Sequence, residues 1–423
     1  MVVSRPPSGE AKSAMSGGSC DLPIQAAGAR CAKYTRTTRD DNGGDEREVY
    51  MCCRKREREI DMAEVKRIDA EKTAEVFGAS CIDLASASLG GEIVAVSDEW
   101  FAAASNLLTV GPPVRKEGYF VHTGAWYDGW ETRRHNREPE DWVIVKLGVN
   151  SGRIFGFEID TAYFNGNHAP AVTVQALFSP PSSPPPTQSS QWTTVLPLQE
   201  CGPSQRHVYL LPQPTADAYS HVKLNMIPDG GIARFRVFGQ AVPVFPDDTS
   251  VVLDMAAVGN GGLAVAYSDQ HFGRKDNLLL PGRGRDMGDG WETKRSREKG
   301  HTDWVIVKLG APTKITSITV DTAHFRGNYP QSVRLHALWH PEDTTPTPTA
   351  RWVDLAEEIK CKADHEHHFA SADGTLEGPS AGGSVEGKLA EAAGVKVFTH
   401  VMMTIVPDGG VSRLKVYGRR QVV

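Results

Sequence analysis

Along most of the chain apolar side chains alternate with polar ones at a period of two, and runs at the helical period are nearly absent. In Phe155-Gly156-Phe157-Glu158-Ile159-Asp160 the apolar members alternate with Glu158 and Asp160. Val172, Val174 and Ala176 alternate with Thr173 and Gln175 in the same way. Such segments put one face on a core and the other on solvent or a neighbour. The pattern predicts strands over 92–96, 142–147, 154–160, 172–178, 222–227 and 232–238. The last two read as a hairpin around Pro228-Asp229-Gly230-Gly231, whose glycines supply the positive φ of a tight reversal, and the motif returns at 407–410. Strand parity turns Arg234 and Arg413, just after these glycines, away from the core, where most arginines are simply solvated. Short strands joined by turns rich in glycine and proline predict antiparallel β-sandwiches of jelly-roll type.

One stretch of this pattern is written twice. Asp128-Gly129-Trp130-Glu131-Thr132-Arg133-Arg134 recurs as Asp289-Gly290-Trp291-Glu292-Thr293-Lys294-Arg295, and the run 141–148 returns unaltered at 303–310. Asp160-Thr161-Ala162-Tyr163-Phe164-Asn165-Gly166-Asn167 returns as Asp321-Thr322-Ala323-His324-Phe325-Arg326-Gly327-Asn328. A core needs only hydrophobicity at the right period, so two copies are free to differ in surface residues. Retained Glu, Arg, Asp and Asn therefore predict a shared polar site, or a shared loop geometry. The repeat divides the 423 residues into an extension at 1–78, a first sandwich at 79–240, a linker at 241–250 and a second sandwich at 251–423. The extension is charged between Asp40 and Lys72 and reads as disordered or loosely helical. A Gly- and Ser-rich insertion at about 362–393 reads as a surface loop.

Net charge is -6 and the pI is near 6.2, which argues against general attraction to nucleic acid or anionic membrane. No apolar run approaches a membrane span, no signal peptide opens the chain, and there is no Asn-x-Ser/Thr acceptor. The seven cysteines form no CxxC knuckle and read as reduced thiols of an intracellular protein. The cytoplasm is the favoured compartment, with peroxisomal and other organellar sites left open.

Taken together, Ser97-Asp98-Glu99-Trp100-Phe101, Asn106-Leu107-Leu108, the 128–135 string, Pro281-Gly282-Arg283-Gly284, the 287–297 and 321–328 strings and the two Pro-Asp-Gly-Gly motifs resemble the allantoicase family. The resemblance covers roughly residues 79–420. It implies two galactose-binding-like jelly-roll domains and hydrolysis of allantoate to ureidoglycolate and urea. Allantoate carries a carboxylate and two ureido arms on one carbon. Cleaving one arm needs a fork-shaped cation for the carboxylate, acceptors for ureido N–H groups, and a general acid/base. Arg133, Arg134 and Arg295 suit the clamp, because a guanidinium meets a carboxylate bidentately. Glu131, Glu292, Asp160 and Asp321 suit ureido recognition, with Asn167 and Asn328 beside them. His324, His301 and His135 are the candidate proton carriers. The second copy is chemically richer, so Glu292, His301, Asp321 and His324 are assigned to catalysis. Substrate binding is assigned to Arg295, Asn328, Glu131, Arg133, Arg134, His135, Asp160 and Asn167.

Each assignment has a plainer counterpart. Trp130 and Trp291 plug the sandwich ends, Asp160 and Asp321 terminate strands through their own backbone, and Asn167 and Asn328 are turn residues. Glu–Arg pairs within one loop are local salt bridges as often as ligand contacts. His365-Glu366-His367-His368 lies in the insertion and reads as incidental. No cofactor is firmly implied, and a loosely bound divalent ion is left open. The implied partner is the small-molecule substrate, with neither nucleic acid nor membrane, in a homo-oligomer. Two other functions compete with hydrolysis: a non-catalytic discoidin-like binding module, and an inactive allantoicase paralogue.

Overall fold

The computed structural model describes residues 64–422, apart from 136, 181–182, 189, 372–375, 377–383 and 392–395. The expectations for residues 1–63, including Cys20, Cys31, Cys52 and Cys53, lie outside the described residues. The first copy is a sandwich of two five-stranded antiparallel sheets. One runs in the order Lys66–Ile68, Arg206–Leu210, Gly152–Asp160, Arg234–Ala241 and Ile82–Asp83. The other runs Thr193–Glu200, Ala171–Leu177, His221–Ile227, Asp141–Lys146 and Glu92–Val96. Alternate residues of facing strands fill the core: Val143, Val145, Phe157, Ile159, Val172, Val174, Phe235 and Val237 are all solvent-free.

The second copy repeats this plan around an altered central strand. The strand Asp303–Asp321 is continuous and serves both sheets. Its first half pairs with Phe398–Val406 and Leu263–Tyr267, its second half with Arg413–Arg420 and Glu366–Ala370. In the first copy the same run is two strands, Asp141–Lys146 and Gly152–Asp160. The architecture is all-β, as the alternation predicted.

Four local expectations are corrected. Residues 66–77, assigned to the extension, belong to the first sandwich. Lys66–Ile68 pairs with Arg206–Leu210, and buried Phe77 stacks on Phe238 at 4.4 Å. The Pro-Asp-Gly-Gly motifs are not hairpins: His221–Ile227 lies in one sheet and Arg234–Ala241 in the other, and Phe398–Val406 and Arg413–Arg420 are separated by Asp303–Asp321. Gly230 and Gly409 adopt φ of 145° and 135°, and a Cβ on either would stand 2.7 Å from a carbonyl oxygen, of His168 or Asn328. Glycine is required there. Part of the insertion is core: Glu366–Ala370 is a strand with Phe369 solvent-free, and Val385–Lys388 pairs beside it in parallel. Finally, Arg234 and Arg413 are buried, each against the aspartate of an Asp-Gly-Trp turn. Two strands, Thr193–Glu200 and Arg206–Leu210, were not predicted. The first carries Pro197 and shifts register twice against its neighbour, which breaks the alternation that would have revealed it.

Trp130 and Trp291 are solvent-free, each donating its indole N–H to the carbonyl of Asp98 or Asp269 at 2.7 and 2.8 Å, which is the packing role expected of them. Cys81, Cys201 and Cys361 are buried free thiols. Among the described residues no helix is long and apolar enough to cross a membrane.

Both copies bury a histidine at the same place, His221 and His400, each with Nδ1 against the hydroxyl of the preceding residue at 2.9 Å. Burial, reinforced by His340 and Lys308, holds the imidazole of His400 down to about 4; burial also lowers that of His221. The neutral ring is favoured in the folded state, so this stability is full above the unfolded value near 6.5 and is lost as pH falls toward 4. Asp254, whose carboxyl burial pushes up to about 6, works in the opposite sense, so a variant is needed to isolate the histidine. The gap in melting temperature between the native protein and His400→Gln should therefore narrow between pH 7 and pH 4.5. A constant gap in calorimetry contradicts this.

Candidate active site at the rims of the two copies

At each rim one arginine of the last strand is taken out of water. Arg234 binds Asp128 through Nη1 and Nη2 at 3.1 and 2.6 Å, and also reaches the carbonyls of Gly111, Pro112 and Asp128. Arg413 does the same with Asp289, Nη2 to Oδ2 at 3.0 Å, and also donates to the Asp289 and Ser412 carbonyls. Each pair locks the Asp-Gly-Trp turn onto the last strand. The second pair is less complete, since Nε of Arg413 has no partner where Nε of Arg234 meets the Gly111 carbonyl.

Two further ties repeat. The predicted clamps Arg134 and Arg295 bind Asp229 and Asp408 of the crossovers at 2.8 and 3.0 Å, and the backbone N–H groups of His135 and Ser296 donate to the same carboxylates. Arg295 also donates to the Gly327 carbonyl. Asp408 is only 2% exposed, so Arg295 is first of all the partner of a buried charge. Asn167 and Asn328 donate through Nδ2 to Glu131 and Glu292, both at 2.6 Å, which is more than a turn role. Burial pushes the Glu131 carboxyl up, against the Asn167 bond and the Arg134 charge. Glu131 is 7% exposed, whereas Glu292 is more open. Arg133 is held on Asp98 and lies over Trp100.

The remaining candidates separate. Asp160 and Asp321 are buried and accept the N–H groups of Ala162 and Ala323, as strand terminators do. Burial raises the Asp160 carboxyl. His135 is an exposed turn residue at φ 59°. His301 stands 3.2 Å from Asp303, which accepts the Ser268 hydroxyl, so it serves the strand start. His324 and its counterpart Tyr163 share a left-handed backbone, φ 69° and 70°, a strain kept in both copies. Nε2 of His324 faces the Gly284 carbonyl at 2.8 Å. A carbonyl only accepts, so Nε2 carries hydrogen and Nδ1 is the atom left to gain or lose a proton.

What the second copy has alone is Arg283. Its Nε and Nη2 bind the solvent-free carboxylate of Asp321 at 2.9 and 3.2 Å. The first copy has Pro112-Pro113 in that region and a longer stretch before Asp128, so no arginine reaches Asp160 from that loop. Gly284 packs closely on the last strand, where a Cβ would stand 2.4 Å from the Ser412 hydroxyl and force it to shift. A cavity of about 310 Å³ opens beside Arg283, lined also by Asp364, His365, Glu366, His368 and Ser384. Sequence reasoning quoted Arg283 without a role and set the 365–368 segment aside; the signal was the Arg–Gly that only the second copy carries.

The same segment offers a place for a metal ion. His365, His367 and Glu386 present ligand atoms within 4.8 Å of one another. Their contacts are hydrogen bonds, His365 Nε2 to Glu386 at 2.8 Å, with His367 Nδ1 and Lys362 Nζ on the same carboxylate. Nε2 of His367 accepts the Lys362 N–H, which leaves the ring proton on Nδ1, facing Glu386. An ion would have to displace that proton. Burial alone pushes the Glu386 carboxyl up; Lys362 and the two histidines pull it down to about 2. The cluster thus ties Val385–Lys388 to the sandwich.

Comparison with known proteins decides what this pair of rims belongs to. The family model of the allantoicase repeat matches residues 82–242 and 253–421. The allantoicase of Neurospora crassa is 54% identical over 360 residues, 84% of this chain and 96% of that protein. The chain belongs to the allantoicase family. The allantoicase of Saccharomyces cerevisiae is 46% identical over 85% of this chain and 98% of its own length. Its crystal structure superposes with a TM-score of 0.70, covering 84% of this chain and all of that one. An allantoicase-family chain is an enzyme, and the resemblance seen in the repeated strings is correct.

The ties make distinct demands on stability. Arg413→Ala leaves buried Asp289 with only the longer, exposed Arg285 contact at 3.8 Å and should cost about 3 kcal/mol. Arg295→Ala, half-exposed but serving buried Asp408, should cost about 1–3 kcal/mol. Chemical denaturation measures both. An unchanged Arg295→Ala midpoint would restore that arginine to the substrate.

Proposed function

We infer that the protein hydrolyses allantoate to ureidoglycolate and urea. One observation carries this: the match to a named allantoicase runs through both repeats and nearly the whole of that protein, with identity above one half. In the balanced reaction one water enters and one urea leaves. The leaving ureido nitrogen takes a proton, the nitrogen of the remaining arm supplies the electron pair that forms a C=N bond as the C–N bond breaks, and water then adds to that carbon.

The second copy is the proposed seat of this chemistry. Glu292 is more open than Glu131, and Asn328 fixes one of its oxygens, leaving the other to accept a ureido N–H. His324 has Nδ1 available for proton transfer, and its ring is fixed by the Gly284 carbonyl. Asp321 positions Arg283 and acts through it. For assembly and compartment we propose a cytoplasmic homo-oligomer. Three buried free thiols support a reducing compartment, and the exposed Tyr119 and Phe120 next to the Phe120–Val121 strand support a contact surface.

Purified protein incubated with allantoate should release urea, and its absence from folded protein would overturn the reading. In that assay Glu292→Gln should lower kcat/KM by about 100-fold, as expected when a hydrogen-bonding partner of the transition state is lost. Glu131→Gln should lower it by less than about tenfold. The reverse order would move the site to the first copy.

A further inference from the structure

We propose that the cavity between Arg283 and the Glu366–Ala370 strand is the substrate pocket, with Arg283 anchoring the carboxylate of the ureido acid. This rests on allantoate being the substrate and locates its site within the second copy.

Three features of the cavity match what the molecule requires. The first is the fork-shaped cation. Asp321 holds the guanidinium by one edge, through Nε and Nη2, so Nη1 and the second hydrogen of Nη2 form an unspent edge. Arg283 is half-exposed while Asp321 is solvent-free, so that edge faces away from the core. A guanidinium fixed on one side loses little entropy when it binds a second carboxylate on the other. The second feature is a set of acceptors for ureido N–H groups. Glu366 and Asp364 line the cavity, and each already has its own cation, Lys415 at 3.7 Å and Arg326 at 3.4 Å. Their charge is therefore offset, and an anionic ligand is not repelled as it would be by bare carboxylates. The third is a proton carrier bonded to the lining residue Asp364 and to the loop of Arg283. His324 donates its backbone N–H to Asp364 and its ring N–H to the residue after Arg283.

The loop that carries Arg283 also joins the cavity to the rest of the rim. Its Met287 sulfur lies 3.7 Å from Nδ2 of Asn328, the partner of Glu292. Its Arg285 reaches the Ser88 hydroxyl of the first copy at 3.0 Å. Only one of the two rims has this loop, so each chain has one pocket of this kind among the described residues.

The test compares Arg283→Gln, Arg283→Lys and Ser384→Trp with the native enzyme, using urea release. Two inert competitors serve as probes, ureidoacetate and its uncharged amide. The native enzyme should prefer ureidoacetate at least about tenfold, the value of one charge-assisted bidentate contact. Arg283→Gln should raise KM for allantoate by about 10- to 100-fold and bind the two probes alike. Arg283→Lys, which keeps a cation on Asp321 without the fork, should fall between. Because Arg283→Gln strips buried Asp321 of its partner, Ser384→Trp provides the arm that leaves the pair intact: it fills the exposed mouth and should raise KM at least about tenfold with an unchanged melting temperature. Equal binding of the two probes by the native enzyme would overturn the proposal, as would a folded Ser384→Trp or Arg283→Gln with native KM. Failure of the native enzyme to release urea would instead remove the allantoate reading itself.

Discussion

A guanidinium removed from water needs several acceptors at once, and in each copy one finds them only if a particular turn closes over it. Arg234 does so with Asp128, and Arg413 with Asp289. The aspartate supplies its carboxylate and its own carbonyl, so the Asp-Gly-Trp turn is held in place against the last strand. Trp130 or Trp291 then enters the core, and the next residue, Glu131 or Glu292, is delivered to the rim beside its asparagine. The polar strings of the duplicated sequence are retained largely for this reason. They are scaffolding first, and what they expose is what remains for chemistry.

This explains the uneven legibility of the sequence. Alternation at a period of two is a direct imprint of burial on one face, so the central strands could be read almost residue by residue. It also misplaced Arg234 and Arg413, because parity puts a side chain on the outer face and says nothing of a loop folding back over that face. The Pro-Asp-Gly-Gly motif has the composition of a hairpin turn, yet the choice between reversal within a sheet and passage to the facing one depends on tertiary contacts of His168 and Asn328. The Glu366–Ala370 strand hid in a glycine-rich neighbourhood whose composition suggested a loop. For the site, the sequence pointed to the polar residues of the rims but not to the partners that hold several of them. Arg134 and Arg295 were read as free forks, while each holds a buried aspartate that lies about a hundred residues away in sequence, beyond the reach of local pattern.

Duplication followed by unequal loops gives the molecule its asymmetry. Both copies keep the Arg–Asp, Glu–Asn and crossover ties. The first copy extends the segment before Asp128 and completes the coordination of Arg234 with the carbonyls of Gly111 and Pro112. The second shortens it, leaves Nε of Arg413 without a partner, and sends Arg283 across to Asp321. One loop closes its rim and the other opens a cavity beside it. Tyr163 and His324 occupy the same strained backbone position, a phenol in one copy and an imidazole in the other.

The shared ties build two rims, and only the second has the Arg283 loop proposed to hold a ureido acid. The most direct measurement is a crystal structure of the protein grown with ureidoacetate. The ligand should lie in the second copy alone, its carboxylate on the free edge of Arg283 and its ureido group toward Glu366 and Asp364. Ligand seated on Glu131 and Asn167 of the first copy, or on neither rim, would contradict it.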